Sequence, residues 1–130
     1  MTTILVVDDN SMLRSVMERR LKRVGWSVLL ATNGAEGVAV AKASLPDLIL
    51  MDMTMPVMDG WTATRAIRSD PVTRHIPIVA FTAQPMTGEN DDAVAAGCNG
   101  HIAKPFEFPD VLKKIRTLLA ASAPSGQPGS

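Results

Sequence analysis

The chain has 130 residues, 46% hydrophobic and 20% charged, which suits one globular domain and excludes a disordered chain or a pair of domains. Thirteen basic and thirteen acidic residues cancel to a formal net charge of zero, against the basic excess of a general nucleic-acid binder or a membrane-surface helix. One cysteine and two histidines exclude a disulfide framework and an ordinary structural zinc site, and no apolar run approaches the roughly 18 residues of a membrane span.

In chain order, Ile4–Val7 is a short run rich in β-branched residues, followed at once by Asp8-Asp9-Asn10-Ser11. Two aspartates this early do not suit a secretory signal, so a soluble, cytoplasmic protein is expected. Asn10 or Ser11 can cap a helix through about Val24, with Met12, Val16, Leu21 and Val24 as its apolar stripe. Gly25 stops it. Ser27–Ala31 reads as a second strand and Asn33-Gly34 as a turn. Ala35–Ser44 reads as a helix closed by Pro46. Leu48–Met51 is a third strand, ending at Asp52. After Pro56, Asp59 can cap a helix through about Arg68. Ile76–Phe81 is a fourth strand, followed by Thr82. A weaker helix spans about Gly88–Ala95 and ends at Gly97, with Cys98 a small residue packed near that turn. Gly100–Ala103 is a fifth strand. Lys104-Pro105 and a last helix to about Ala121 complete the pattern.

Five β-then-α units predict an α/β fold, a doubly wound parallel sheet with helices on both faces. Strands 1, 3 and 4 lack polar alternation, as strands covered on both sides do. Trp26 and Ser27 make strand 2 more peripheral. The expected strand order is 2-1-3-4-5, the flavodoxin-like order, with a switch point between strands 1 and 3. Residues 1–121 form the domain. Residues 122–130, rich in Ser, Pro and Gly, are expected to be a mobile tail.

Ligands of such sheets bind at the carboxyl ends of the strands, beside the switch point. The polar residues expected there are Asp8 and Asp9 after strand 1, Asp52 after strand 3, Thr82 after strand 4 and Lys104 after strand 5. Each alone has an ordinary explanation as a helix cap or loop residue. Together they crowd three carboxylates at one edge, where like charges resist joint ionisation unless something positive joins them. Lys104 answers one charge, and a divalent cation would answer the rest. An all-oxygen ligand set selects a hard ion such as Mg²⁺. Thr82 and Lys104 are donors suited to phosphate oxygens. The site looks built to hold a phosphoryl group beside Mg²⁺, and an aspartate can itself be the nucleophile.

These residues carry a family resemblance. The chain resembles the receiver domain of two-component response regulators, in the CheY-like stand-alone form, from about Thr3 to Ala120. The acidic pair Asp8-Asp9 carries it, with the stretch Met51-Asp52-Met53-Thr54-Met55-Pro56-Val57-Met58-Asp59-Gly60, then Thr82-Ala83 and Lys104-Pro105-Phe106. The resemblance implies that Asp52 accepts a phosphoryl group from a sensor histidine kinase or a histidine phosphotransfer protein. It implies Mg²⁺ held by Asp9 directly, Asp8 mainly through water, Asp52 and the Thr54 backbone carbonyl. Thr82, Ala83 and Lys104 would hold the phosphoryl group, with the Lys104–Pro105 peptide cis. Asp59 would cap the next helix. Such a chain assists its own phosphorylation and dephosphorylation without being a conventional enzyme, and signals to a downstream target protein.

One position departs from the family pattern. Three residues before the lysine, where the family has Tyr or Phe, stands His101. The partner of the Thr82 switch is therefore a smaller, titratable ring, or His101 is an edge-strand residue with no switching role. Thr54 and Gln84, the positions that tune hydrolysis, are neither acidic nor basic. Three rival readings fit less well. An Asp-nucleophile phosphohydrolase needs an acid two residues after the nucleophile, and Asn10 and Thr54 stand there. A flavodoxin-like phosphate loop would be repelled by Asp8-Asp9. A receiver with a dead site would lack one of the five residues.

Overall fold

The computed structural model describes residues 2–53, 60–82, 97–103 and 107–122. Five strands, β1 (Thr3–Val7), β2 (Ser27–Ala31), β3 (Leu48–Asp52), β4 (Ile78–Thr82) and β5 (Gly100–Ala103), form one sheet in the order β2-β1-β3-β4-β5. All four pairings are parallel. The described helices are α1 (Ser11–Val24), α2 (Gly34–Ser44), α3 (Gly60–Ser69) and α4 (Phe108–Ser122). The helix expected over 88–95 and the stretch 123–130 lie outside the described residues.

Strand side chains alternate between two layers. Leu5, Val7, Ile49, Met51, Ile78 and Ala80 pack with Ala41 of α2 and with Ala63 and Ile67 of α3. Ile4, Val6, Leu48, Leu50, Val79 and Phe81 pack with Met17 and Leu21 of α1 and with Val111 and Ile115 of α4. This double cover explains the unbroken apolar runs of β1, β3 and β4. Each large side chain fully withdrawn from water contributes roughly 1.5–3 kcal/mol.

Local chemistry sets the boundaries. Asn10 caps α1, its side chain accepting from Leu13 N–H, and Gly25 ends it with its N–H on the Leu21 and Lys22 carbonyls. Asn33 accepts from Glu36 N–H, while Glu36 reaches back to Thr32 N–H at 2.6 Å, a reciprocal cap for α2. That helix ends at Leu45 in the left-handed region (φ 49), one residue before the proline expected to close it. β4 begins two residues later than its apolar run suggests. Ile76 N–H is taken by Thr73 carbonyl, Ile76 carbonyl is taken by Arg68, and Pro77 has no N–H to give. Cys98 sits at the turn before β5 and packs against the α2/α3 layer. Burial pushes its thiol up from the ordinary cysteine value. No helix among the described residues is long and apolar enough to cross a membrane.

Candidate functional site

The register of the sheet decides what meets at its carboxyl edge. β1 and β3 are neighbours, with Val7 opposite Met51, so the residues that follow, Asp8 and Asp52, emerge side by side. Both are almost wholly buried, at 1% and 3% exposure, while Asp9 is exposed. One carboxylate oxygen from each of Asp8, Asp9 and Asp52 lies within 4.8 Å of the others. Asp52 is the last residue of β3 itself, paired with Phe81 of β4, and so is set by the ladder rather than by a loop.

Asp8 is tied at several atoms. Its N–H donates to Ala31 carbonyl at 3.1 Å, its Oδ1 accepts from Asn10 N–H at 2.8 Å, and its carbonyl accepts from Arg14 Nη1 at 2.7 Å. On the other flank α3 starts hard against the end of β3. A Cβ on Gly60 would fall on the Asp52 carbonyl oxygen and 2.6 Å from Met53 Cα. Glycine is needed at this junction for that close approach.

Three carboxylates this close repel one another unless protons or a cation intervene. An octahedral Mg²⁺ holds its ligands at about 2.1 Å, so two of its ligand atoms stand at most about 4.2 Å apart. The oxygens of Asp8, Asp9 and Asp52 lie within 4.8 Å of one another, a looser set than that span, so a water would carry the longest reach. The donor set fits a hard divalent ion and contains no nitrogen or sulfur ligand that would favour zinc or copper.

The remaining sequence-identified positions divide into two groups. Thr82 ends β4 opposite Ala103, the last residue of β5, which puts its backbone at the same edge of the sheet as Asp52. Its side chain, and the whole of Thr54, Ala83 and Lys104, lie outside the described residues. His101 is described and lies on β5, two strands across the sheet from β3. It pairs with Ala80 of β4, is half-buried, and its Nε2 is enclosed with no hydrogen-bond partner among the described residues. It lines a groove of about 390 Å³ with Ile102, Asp110, Lys113, Lys114 and Thr117. Arg14, which touches the acidic pair from α1, escaped the sequence reading because nothing in its spacing distinguishes it from the other basic residues of that helix.

Sheet order, acidic cluster and motif order together define a class of protein. The model of the response regulator receiver domain matches residues 4–116, and the chain belongs to that family. It is 46% identical over 111 residues to hybrid signal transduction histidine kinase G of Dictyostelium discoideum, covering 83% of this chain but 3% of the kinase. To the polar-differentiation response regulator DivK of Brucella anthropi it is 31% identical over 117 residues, covering 90% of this chain and 95% of DivK. Among solved structures, it is similar to the receiver domain of the sensor histidine kinase PA1611 from Pseudomonas aeruginosa PAO1, which has a magnesium ion coordinated in its active site cleft. The identity is 35%, the TM-score 0.84, and the match covers 92% of this chain and 98% of that one. The chain is thus a receiver domain of the two-component response regulator family.

Proposed function

We propose that this receiver accepts a phosphoryl group on Asp52 in a Mg²⁺-dependent reaction, from a phosphohistidine on a sensor histidine kinase or a histidine phosphotransfer protein. The observation that carries the reading is the convergence of the Asp8, Asp9 and Asp52 oxygens within 4.8 Å at the switch point of the sheet. An Asp52 carboxylate oxygen attacks phosphorus. The P–N bond breaks, its electron pair returns to the imidazole nitrogen, and an acyl phosphate remains on Asp52. Asp8, Asp9, Asp52 and the Thr54 carbonyl would hold Mg²⁺, which would neutralise the carboxylates and bind a phosphoryl oxygen. Thr82, Ala83 and Lys104 meet the remaining phosphoryl oxygens, the hydroxyl by a hydrogen bond and the ammonium by charge. The readout is a change on the surface around β5 and α4, which engages a downstream protein in the cytoplasm, with Thr82 and His101 as the moving side chains.

Incubation with acetyl phosphate and Mg²⁺, read by intact mass, tests this. One phosphoryl group should add to the wild type and none to Asp52→Asn, whose amide is isosteric and leaves the fold intact. Excess chelator should abolish the labelling. Labelling of Asp52→Asn at full yield, or labelling that proceeds undiminished in chelator, would remove the nucleophile or the metal from the reading.

A further inference from the structure

α1 opens beside the acidic pair, and Arg14 leans back over that opening. Its own N–H bonds the Asn10 carbonyl at 3.0 Å, so its backbone closes the first turn of the helix. Long side chains on a helix point back toward its N-terminus, and from this position the guanidinium reaches the junction between β1 and α1. There Nη1 donates to the Asp8 carbonyl at 2.7 Å in a partly buried setting, a short charge-assisted bond.

That carbonyl belongs to the peptide joining Asp8 to Asp9. With Asp8 N–H on Ala31 and Asp8 Oδ1 on Asn10 N–H, the Arg14 bond to the carbonyl restrains the plane of this peptide, and so the direction in which Asp9 leaves it. Asp9 is exposed and lies beyond the sheet ladder. We infer that Arg14 is a positioning residue for the acidic pair, holding the Asp8–Asp9 peptide so that both carboxylates meet a divalent cation without rearrangement. The inference rests on the reading of the triad as a divalent-cation site.

A guanidinium here has two effects of opposite sign. As a positive charge it opposes a second cation nearby. As a clamp it pre-orders the ligands, as outer-shell partners of metal sites do. The bond is to a neutral carbonyl and not to a carboxylate oxygen, so the clamp is what the geometry builds.

The sign of one measurement separates the two. Arg14→Met removes the donor and the charge while keeping an unbranched, helix-favouring side chain. Arg14→Lys keeps the charge and one donor. Mg²⁺ titration of the full chain, followed by the Asp9 and Asn10 amide resonances, should show affinity about tenfold weaker in Arg14→Met and partly restored in Arg14→Lys. Without metal, the Asn10 amide of Arg14→Met should exchange with solvent faster, with the sheet amides unchanged. Unchanged or tighter Mg²⁺ binding in Arg14→Met would overturn the proposal, the latter marking Arg14 as a repelling charge alone. So would faster exchange spread over the whole sheet, which marks a general structural role. If the wild type bound no Mg²⁺, the reading of the site would fall, and the metal-free exchange would still decide whether Arg14 holds the pair.

Discussion

The two ends of the sheet are built on opposite terms. At the amino end, polar groups answer one another. Arg68 donates to the carbonyls of Gly97 at 2.8 Å, Arg74 at 2.8 Å and Ile76 at 2.7 Å, and to Asn99 Oδ1 at 2.5 Å. Asn99 Oδ1 also accepts from Ile78 N–H, at 2.9 Å. Across the sheet, Asp47 accepts from Thr3 N–H at 2.7 Å and returns a bond from its own N–H to Thr3 carbonyl at 2.8 Å. At the carboxyl end, three carboxylates meet with their oxygens within 4.8 Å. One end closes the fold by pairing donors with acceptors. The other gathers three carboxylates, and like charges that close repel one another unless protons or cations intervene.

The largest expected effect comes from breaking the closed end. Arg68 is half-buried, and burial is the main cause that pulls its guanidinium below the ordinary arginine value. Arg68→Gln cannot span the three carbonyls. Gly97 carries φ +110, and a Cβ there would stand 2.6 Å from Arg68 Cγ, so the turn is shaped around this one side chain. Losing several charged hydrogen bonds and leaving carbonyls poorly satisfied should lower stability by about 2–4 kcal/mol. Urea denaturation measures it. Mg²⁺ affinity at the far edge should stay near that of the wild type. A large loss of Mg²⁺ affinity with little loss of stability would mean that the two ends are not independent.

How far the sequence displayed these two ends follows from what each is made of. The carboxyl end was legible because its chemistry sits in short local runs. Asp8-Asp9 directly follows an apolar strand, Asp52 directly follows another, and a parallel sheet forces strand ends together. The strand order and the bounds of β2 and β5 followed from the same alternation. The amino end was not legible. Arg68 looks like any basic residue in the last turn of a helix, and three of its partners are backbone carbonyls, which carry no side-chain signature, the fourth being Asn99 Oδ1. Those partners are spread from 74 to 99 in the chain, and only tertiary packing assembles them. Arg14 was hidden for the same reason, since it too bonds a carbonyl. The start of β4 was misread because Ile76 is as apolar as Ile78. What excludes it from the ladder is the turn bond to Thr73 and the missing N–H of Pro77.

A smaller effect of the opposite sign is expected at the open end. Asp9 is exposed and faces two buried carboxylates. Asp9→Ala removes one of three mutually repelling charges. Thermal melts without metal should show stability unchanged or raised, by up to about 1 kcal/mol, while Mg²⁺ no longer raises the melting temperature. A sharp fall in metal-free stability would show that Asp9 is held by attractive contacts and that repulsion among the three carboxylates does not set the balance.

The smallest expected effect asks whether an acid at the amino end behaves as a paired group should. Asp70 follows α3. Its Oδ1 accepts from Val72 N–H at 2.9 Å, and its Oδ2 stands 3.2 Å from Lys42 Nζ. Both hold its carboxyl below the usual aspartate value, the Val72 bond first and Lys42 after it. A depressed folded value means that the carboxylate favours the folded state. The contribution is present above the unfolded value of about 3.9 and is lost as pH falls through the lower, folded value. Asp70→Asn should therefore be slightly less stable than the wild type near neutral pH, and the gap should close on acidification below about pH 4. Asp70 is part-exposed and Lys42 exposed, so the gap is small, and added salt should shrink the Lys42 share while leaving the Val72 bond. Denaturant midpoints taken across that pH range, at low and high salt, resolve it. A gap that stayed constant to the lowest pH would trace to packing around residue 70, and the charge would have no part in closing this end of the sheet.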